Sequence, residues 1–232
     1  MTTTNQYGQP IGDPVPDWTP AALPDTHTLP GRYCTLELLD ADRHAGDLHT
    51  AYAAASDDRD WTYLPYGPFP TLDSYRDWAM AAAKSRDPRH YALINNATGR
   101  ALGTLSLMRH DPANGAIEVG CVAFSRALQR TPASTEAQFL LMRYAFDDLG
   151  YRRYEWKCDS LNEPSRRAAE RLGFTYEGTF RHAVVYRGRN RDTAWFALTD
   201  RDWPPVRDAF EKWLDPTNFD TDGRQREPLR TR

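Results

Sequence analysis

Residues 128–174 constrain the fold more than any other part of this sequence. Apolar residues recur there at helical spacing until Gly150, a residue type that commonly terminates helices. The run YRRYEWKCD that follows has the alternation of a strand, and Asn162-Glu163-Pro164 begins a second helix with proline in the first turn, where it costs no hydrogen bond. We therefore predict a loop, a helix from Thr135, a strand over 152–159 and a second helix.

The beginning of the first predicted helix is a candidate anion site. Main-chain N–H groups in a first helical turn lack intrahelical partners and carry partial positive charge. Ser134, Thr135 and Glu136 would lie at this end. A phosphate group could therefore bind between the preceding loop and the helix.

Short motifs extend on both sides of this segment. They are Thr135-Glu136-Ala137, Ala145-Phe146, Leu149-Gly150, Arg153, Lys157-Cys158, Asn162, Ser165, Glu170-Arg171-Leu172-Gly173-Phe174, Glu177-Gly178 and Arg181. With them, the sequence resembles the GNAT acyl-CoA-dependent N-acetyltransferases, and within these the ribosomal-protein N-terminal acetyltransferases of the RimJ/RimL type. The resemblance covers about residues 32–213, and the combination N-x-x-S, RLGF and EG-x-x-R is its most specific part.

The remaining periodicity gives the order strand, helix, helix, three strands, helix, strand, helix, two strands and a last helix. The second of these helices is predicted over 72–84, begun by Thr71. This order alone predicts an α/β (α+β) fold. The resemblance implies the topology, which is a mixed, mostly antiparallel sheet with helices on both faces. It also implies that the strand ending at Phe124 splays from the strand over 152–159 and opens a cleft for the pantetheine of acyl-CoA.

The resemblance implies acetyl-CoA as cofactor and no metal. The candidate cofactor-binding residues are Phe124, Gln129, Arg130, Thr131, Ser134, Thr135, Glu136, Asn162, Arg166 and Arg167. The family's loop pattern is Q/R-x-x-G-x-G/A, whereas 129–134 contains no glycine and Pro132 lacks an N–H donor. Side chains would then replace main-chain donors, although each arginine could equally be an ordinary surface residue.

Two catalytic candidates follow. By resemblance, Asn162 would hydrogen-bond the pantetheine arm or orient the thioester, and Ser165 would hydrogen-bond or protonate the leaving thiolate. A structural N-cap is the alternative for Asn162. Glu118 is the candidate base because it places a carboxylate inside an otherwise apolar strand next to the predicted cleft. The alternative is an outward-facing strand residue, and Asp159 is the second choice of base.

The aromatic loop, residues 57–69, is too apolar to be left in water. Its candidate substrate-binding residues are Trp61, Tyr63, Tyr66 and Phe69, and Asp57, Asp58 and Asp60 would attract an amine. The alternative is a satellite core beneath a long loop. The run 187–192 reads as a charged hairpin tip, with binding of an acceptor carboxylate as the alternative.

The composition limits which partners and which domain organisation are expected. A net charge of −3 gives no basis for nucleic-acid binding, three widely spaced cysteines suggest reduced core residues, and no apolar run is long enough to span a membrane. We expect a cytoplasmic protein that does not bind membranes. The predicted parts are an extended arm over 1–31, lying across the domain or a partner subunit, an acetyltransferase domain over 32–214, and a polar, loosely held tail over 215–232. A homodimer is left open.

The predicted function is transfer of an acetyl group from acetyl-CoA to a primary amine, directly in a ternary complex. The acceptor could be a protein N-terminal α-amine or a small amine. The alternative, motivated by the glycine-free loop, is a CoA-binding or partner-binding module that has lost catalysis.

Overall fold

A computed structural model describes residues 3–231 and contains one eight-stranded sheet. The strands are β1 (Thr28–Pro30), β2 (Cys34–Leu38), β3 (Arg89–Asn95), β4 (Arg100–Asp111), β5 (Ala116–Phe124), β6 (Arg153–Asp159), β7 (Thr175–Tyr186) and β8 (Arg189–Thr199). Their spatial order is β1-β2-β3-β4-β5-β6-β8-β7. Neighbouring strands are antiparallel except β5 and β6, which are parallel.

Five α-helices connect these strands. They are α1 (Ala41–Ala53), α2 (Leu72–Lys84), α3 (Pro132–Arg143), α4 (Glu163–Arg171) and α5 (Trp203–Trp213). Local sequence accounts for several of their starts: Asp40 caps α1 by accepting from two main-chain N–H groups, and Thr71 and Ser74 form a capping box at α2. The bounds of α2 are those that the sequence predicted.

The helices cover both faces of the sheet. One core lies between the sheet and α1 and α2, with Leu48, Tyr75 and Ala92 fully buried. The other lies between the sheet, α3 and α5, and includes Leu141 and Phe210. No helix in the described residues is long and apolar enough to cross a membrane.

The cleft comes from the way β5 and β6 pair. Their ladder joins Ala116–Val119 to Arg153–Trp156 and then stops, so residues 120–124 of β5 and 157–159 of β6 diverge. A bulge reinforces this divergence: Cys121 has a φ of 51°, and the register with β4 shifts between Thr104 and Ser106. The predicted sheet, with helices on both faces and a splayed strand pair, is confirmed.

The two ends of the chain pack more closely than the sequence suggested. Residues 28–30 of the predicted arm form β1 and pair with β2. In the predicted loose tail, Phe219 packs against Tyr33 and Trp213, and the Trp213 indole donates to the Gln225 side chain at 2.9 Å. The tail is therefore held against α5 at Phe219 and Gln225 rather than loose.

Candidate active site

The diverging half of β5 forms one wall of the cleft, and its carbonyl groups are held by side chains. Ser106 donates to the Gly120 carbonyl at 3.0 Å, Tyr66 to that of Cys121 at 3.2 Å, and Tyr52 to that of Ala123 at 2.9 Å. These three hydroxyls replace donors that a neighbouring strand would supply. The chain therefore holds β5 away from β6 without a third strand between them.

Helix α3 begins at Pro132, three residues earlier than predicted. Thr131 is its N-cap and accepts from the Ser134 N–H at 3.3 Å. Proline is well tolerated at the first helical position because that N–H would have no intrahelical partner. The main-chain N–H groups of Arg130 and Ala133 make no hydrogen bond within residues 3–231, which leaves them to donate to an anion. Arg130 has a φ of 61°, so the turn is made without glycine.

The candidate phosphate-binding side chains differ in whether they are already bound to other protein groups. The Arg130 guanidinium is exposed and has neither an ion pair nor a hydrogen bond within the described part of the chain. Arg166 donates to the Ser160 carbonyl at 3.2 Å, and Arg167 pairs with Glu163 at 2.7 Å. Gln129 donates to the Phe124 carbonyl at 3.0 Å and ties the loop to the end of β5. Arg130 is thus the best placed of the three arginines to meet a phosphate.

Thr135 and Glu136 face the interior and do not line the cleft. The Thr135 hydroxyl accepts from both terminal nitrogens of Arg171, at 3.2 and 3.1 Å. The Glu136 carboxylate accepts from three main-chain N–H groups at the start of β2, those of Arg32, Tyr33 and Cys34, at 2.6–2.8 Å. Both side chains are 4% exposed. Their assignment as cofactor ligands is therefore corrected to a structural one.

The start of α4 brings Asn162 and Ser165 together at the end of β6. The Asn162 side-chain oxygen caps the helix by accepting from the Ser165 N–H at 3.2 Å, and its amide nitrogen has no partner among residues 3–231. The Ser165 hydroxyl accepts from the Trp156 indole at 3.0 Å. Because a hydroxyl can accept and donate at once, Ser165 retains a hydrogen to donate. Burial raises the pKa of the neighbouring Cys158 thiol, which makes that sulfur a poor nucleophile.

Glu118 lies on the other face of the strand pair. Glu118 is opposite Glu155 in the ladder and Val119 is opposite Trp156, the residue that contacts Ser165. Since adjacent strand residues alternate between faces, Glu118 and Ser165 occupy opposite faces of the sheet at the splay. They do not converge on one point from the same side.

The Glu118 carboxylate is buried within an ion-pair network. Its Oε2 lies 2.8 Å from Lys157 Nζ and 3.1 Å from Arg109 Nε. Burial raises the pKa of Glu118, and the two cations oppose the rise. Lys157 also lies 2.7 Å from Glu155 and 3.8 Å from the centre of the Trp195 ring. The indole N–H of Trp195 is buried without a partner in the described chain.

Both explanations of the aromatic loop apply, to different atoms. The rings form a satellite core with α1 and α2: Trp61 lies 5.1 Å from Tyr52 and 5.5 Å from Phe69, and Tyr66 lies 4.6 Å from Trp78. The hydroxyls reach the cleft, where Tyr66 bonds β5 and Tyr63 donates to the Leu161 carbonyl at 3.1 Å. The loop thus spans the splay from β5 to the β6–α4 turn.

The acidic residues of this loop are already neutralised. Arg126 lies 2.6 Å from Asp57 and 3.0 Å from Asp60. A hydrogen bond from Arg59 lowers the pKa of Asp57 to about 2, and Arg126 adds to the effect. The expectation that these carboxylates attract an amine is therefore wrong for Asp57 and Asp60, which fasten the loop to the β5–α3 connection.

The tip of the β7–β8 hairpin closes the other side of the loop. Arg187 donates to the carbonyls of Trp61 and Gly67, and Arg189 donates to that of Thr62 at 3.0 Å. Asp159 accepts from the Tyr186 hydroxyl and the Leu161 N–H, both at 2.9 Å. These bonds engage both carboxylate oxygens of Asp159.

The sequence had not singled out Lys157, Trp195 or Tyr186 as site residues. Alternation along β6 was the available signal, because it puts Lys157 on the face of Glu155 and Asp159. Trp195 and Tyr186 belong to distant strands, and the pairing of β6 with β8 brings the first of them beside Lys157.

Comparison with known proteins decides the family. Residues 35–175, more than half of the chain, match the model of the acetyltransferase (GNAT) domain. The chain belongs to the GNAT acetyltransferase family. The predicted resemblance is confirmed, and the protein is a GNAT-family N-acetyltransferase, an enzyme family that uses acetyl-CoA.

Relatives agree with this assignment. A putative ribosomal N-acetyltransferase, YdaF, of Bacillus subtilis is 28% identical over 149 residues, covering 62% of this chain and 78% of the relative, and supports the RimJ/RimL-type branch. A crystal structure of a GCN5-related N-acetyltransferase from Brucella melitensis has a TM-score of 0.89 and 47% identity, covering 92% and 96% of the two chains. A probable GNAT-family acetyltransferase from Chromobacterium violaceum has a TM-score of 0.77 and 42% identity, covering 84% and 97%.

Proposed function

We propose that this GNAT enzyme acetylates the α-amine of a polypeptide N-terminus by direct transfer, with Glu118 as the base and Ser165 as the acid. The placement of these two side chains on opposite faces of the splay carries the proposal. One face can then receive the acetyl donor while the other receives the amine, and the acetyl group passes through the gap between β5 and β6.

The cleft suits acetyl-CoA, which supplies an acetyl group activated as a thioester. The α3 N-terminus, with the free N–H groups of Arg130 and Ala133 and the Arg130 guanidinium, would hold the phosphates. The unpartnered amide nitrogen of Asn162 would donate to a carbonyl of the donor. Thr131 and Ser134, which bond each other, would shape the turn, and Phe124 and Gln129 would bound it at the end of β5.

Proton movement is assigned to two residues. Glu118 would accept a proton from the amine directly or through one water, since it is buried on the face opposite Ser165 and the field of Lys157 favours its ionised form. As the amine nitrogen bonded to the thioester carbonyl carbon and the carbon–sulfur bond broke, Ser165 would donate its hydroxyl hydrogen to the leaving CoA sulfur on the other face. The Trp156 indole fixes the direction of the Ser165 oxygen. The pKa of Cys158, raised by burial, supports transfer without a covalent cysteine intermediate.

The choice of an α-amine follows from proton energetics. An α-amine with a pKa near 8 costs about 1.4 kcal/mol to deprotonate at pH 7, whereas a lysine side chain costs about 4.6 kcal/mol. A carboxylate is a modest base and suffices for the first but not the second. The relative named as a putative ribosomal N-acetyltransferase supports a protein acceptor.

Thiol release from acetyl-CoA, measured with a panel of acceptors, tests the proposal. Peptides with free N-termini should react, and the same peptides with blocked N-termini and a free lysine should not. The Ser165→Ala variant should lower kcat with little change in the KM of the peptide, while Ser74→Ala, at the start of α2, serves as control. Acetyl-CoA binding without turnover on any amine would instead favour a binding module that has lost catalysis.

A further inference from the structure

The β7–β8 hairpin carries a run of basic residues that the catalytic roles above do not use. Between Glu177 and Asp192 the sequence contains no acidic residue and four arginines. We call the arginines of this segment, Arg181, Arg187, Arg189 and Arg191, the hairpin arginines. The chain as a whole has a net charge of −3, so this concentration of positive charge is local.

None of the hairpin arginines forms an ion pair within residues 3–231. Arg187 and Arg189 donate to carbonyls of the aromatic loop, and Arg191 donates to the Thr193 hydroxyl at 3.1 Å. Arg181 is exposed and has no hydrogen bond. By contrast, Arg126 and Arg153 each pair with two carboxylates.

The one nearby acidic residue of the hairpin is already engaged. Asp192 accepts from the His182 N–H at 2.7 Å and from the Asn190 side chain at 2.9 Å. Within residues 3–231 it forms no ion pair with Arg181 or Arg189. The charge of the hairpin arginines is therefore left for a ligand.

These arginines lie at the acceptor side of the cleft. Two of them contact the aromatic loop, which follows α1 on the face of the sheet that carries Glu118. The Arg189 guanidinium lies 5.4 Å from the centre of the Tyr186 ring, and Tyr186 donates to Asp159 at the end of β6. A chain whose amine reaches Glu118 would pass the hairpin on leaving the cleft.

A surface for such a chain adjoins the arginines. β7 is the edge strand of the sheet, and Phe180 and Val184 on it are 57% and 39% exposed. Phe180 stacks on Trp195, whose ring in turn contacts Lys157. Ring contacts thus connect the ion-pair network of Glu118 through Trp195 to the exposed Phe180, which precedes Arg181 in β7.

We propose that the hairpin arginines select acceptors in which acidic residues follow the N-terminal amine. The inference rests on the proposed N-terminal acetylation and specifies its substrate class. A polypeptide fits better than a nucleic acid because the basic surface is confined to one hairpin beside the acceptor opening, with none of the domain-wide basic field that phosphate backbones require. Exposed charge contacts of this kind chiefly set specificity and association rate.

Matched peptides test the inference. One series has an N-terminal serine followed by Asp and Glu residues at positions 2–5, and the other has Asn and Gln there, so that the two differ in charge but hardly in shape. We expect kcat/KM to be about tenfold higher for the acidic series at low salt, which corresponds to several exposed charge contacts. The preference should fall as ionic strength rises.

Single variants locate the effect. Arg181→Gln and Arg191→Gln should each reduce the acidic preference by about threefold. They should leave the reaction of the uncharged peptide unchanged, since neither residue fastens the aromatic loop. Arg201→Gln, which removes an exposed charge next to α5, should leave the preference intact. Melting temperatures of all three variants check that the fold is retained.

The possible outcomes separate failure of this inference from failure of the proposed function. Equal kcat/KM values for the two series with the wild type would overturn the inference while leaving N-terminal acetylation in place. Failure of every peptide to react would instead remove the proposed function. A polyuridylate ligand that binds the wild type in a salt-dependent manner and loses affinity in Arg181→Gln would assign the surface to nucleic acid and overturn the inference.

Discussion

As the proposed base, Glu118 must satisfy two opposing requirements. It must be ionised to accept a proton, yet burial raises its pKa and favours the neutral acid. Lys157, 2.8 Å away, counteracts burial and keeps a share of the carboxylate ionised. In the wild type, kcat/KM should therefore increase with pH through this raised pKa and level off as the carboxylate becomes fully ionised.

Glu118→Gln should move that increase to higher pH. Without a base, only acceptor molecules that are already neutral react, so the profile follows the α-amine, whose pKa is near 8. At pH 7 about one tenth of such an amine is neutral, and kcat/KM should fall about tenfold. The loss should shrink above pH 8. Profiles of kcat/KM from pH 5 to 9, with Glu211→Gln on α5 as control, measure this, and a profile identical to the wild type would exclude Glu118 from the mechanism.

At the residue scale, the sequence could identify candidates but not their partners. Asn162 and Ser165 were predicted from a motif, and the structure places them at one helix start. The Lys157–Glu118 contact depends on the parallel pairing of β5 and β6. Because α3 separates these two strands in the sequence, their pairing cannot be read from a local pattern. The pairing of Arg126 with Asp57 and Asp60 likewise joins segments more than 60 residues apart, and no local pattern announces it.

At the scale of elements, capping residues and apolar periodicity predicted where helices lie. They were less accurate for the end of a helix that lies next to a proline. Thr71 acts as the predicted cap and α2 has the predicted bounds, while Asn162 caps α4, which was the alternative role predicted for it. The predicted start of α3 at Thr135 was wrong because Pro132 was interpreted as part of a loop. Proline is compatible with a first helical turn. Because α3 begins three residues earlier than predicted, Glu136 does not line the cleft. Its carboxylate instead anchors α3 to the start of β2.

Glu136→Gln should therefore destabilise the fold without weakening acetyl-CoA binding. The carboxylate accepts three N–H groups from the start of β2, and an amide supplies a single acceptor oxygen with an NH₂ group in place of the other. Since hydrogen bonds to a charged group contribute about 1.5–3 kcal/mol, the free energy of unfolding should fall by about 3 kcal/mol. Urea denaturation measures this loss. A higher KM for acetyl-CoA with unchanged stability would return Glu136 to the cofactor site.

At the scale of the whole molecule, the N-terminal arm closes the end of the domain opposite the cleft. Trp18 donates to the Ala113 carbonyl at 2.9 Å and lies under the Arg152 guanidinium. The Ala21 and Ala22 N–H groups bond the carbonyls of Pro112 and Leu149, and Tyr144 accepts from the N–H groups of residues 25 and 26. Before Trp18, the side-chain bonds of the described residues are local, apart from a 3.8 Å contact between Asp13 and Arg201.

Two truncations should thus differ sharply. Deletion of residues 1–17 should change the free energy of unfolding by less than about 0.5 kcal/mol, because an exposed ion pair contributes little. Deletion of residues 1–27 should cost about 3 kcal/mol or more, since it removes several hydrogen bonds worth about 1 kcal/mol each and the contacts of Trp18. Thermal and urea unfolding measure both effects, and size-exclusion chromatography reports the oligomeric state. The prediction would be contradicted if the shorter deletion destabilised the protein as much as the longer one and also changed its oligomeric state. That result would mean that residues 1–17 pack against a partner subunit and that the segment from Trp18 onward is not the main source of the arm's stabilising contacts.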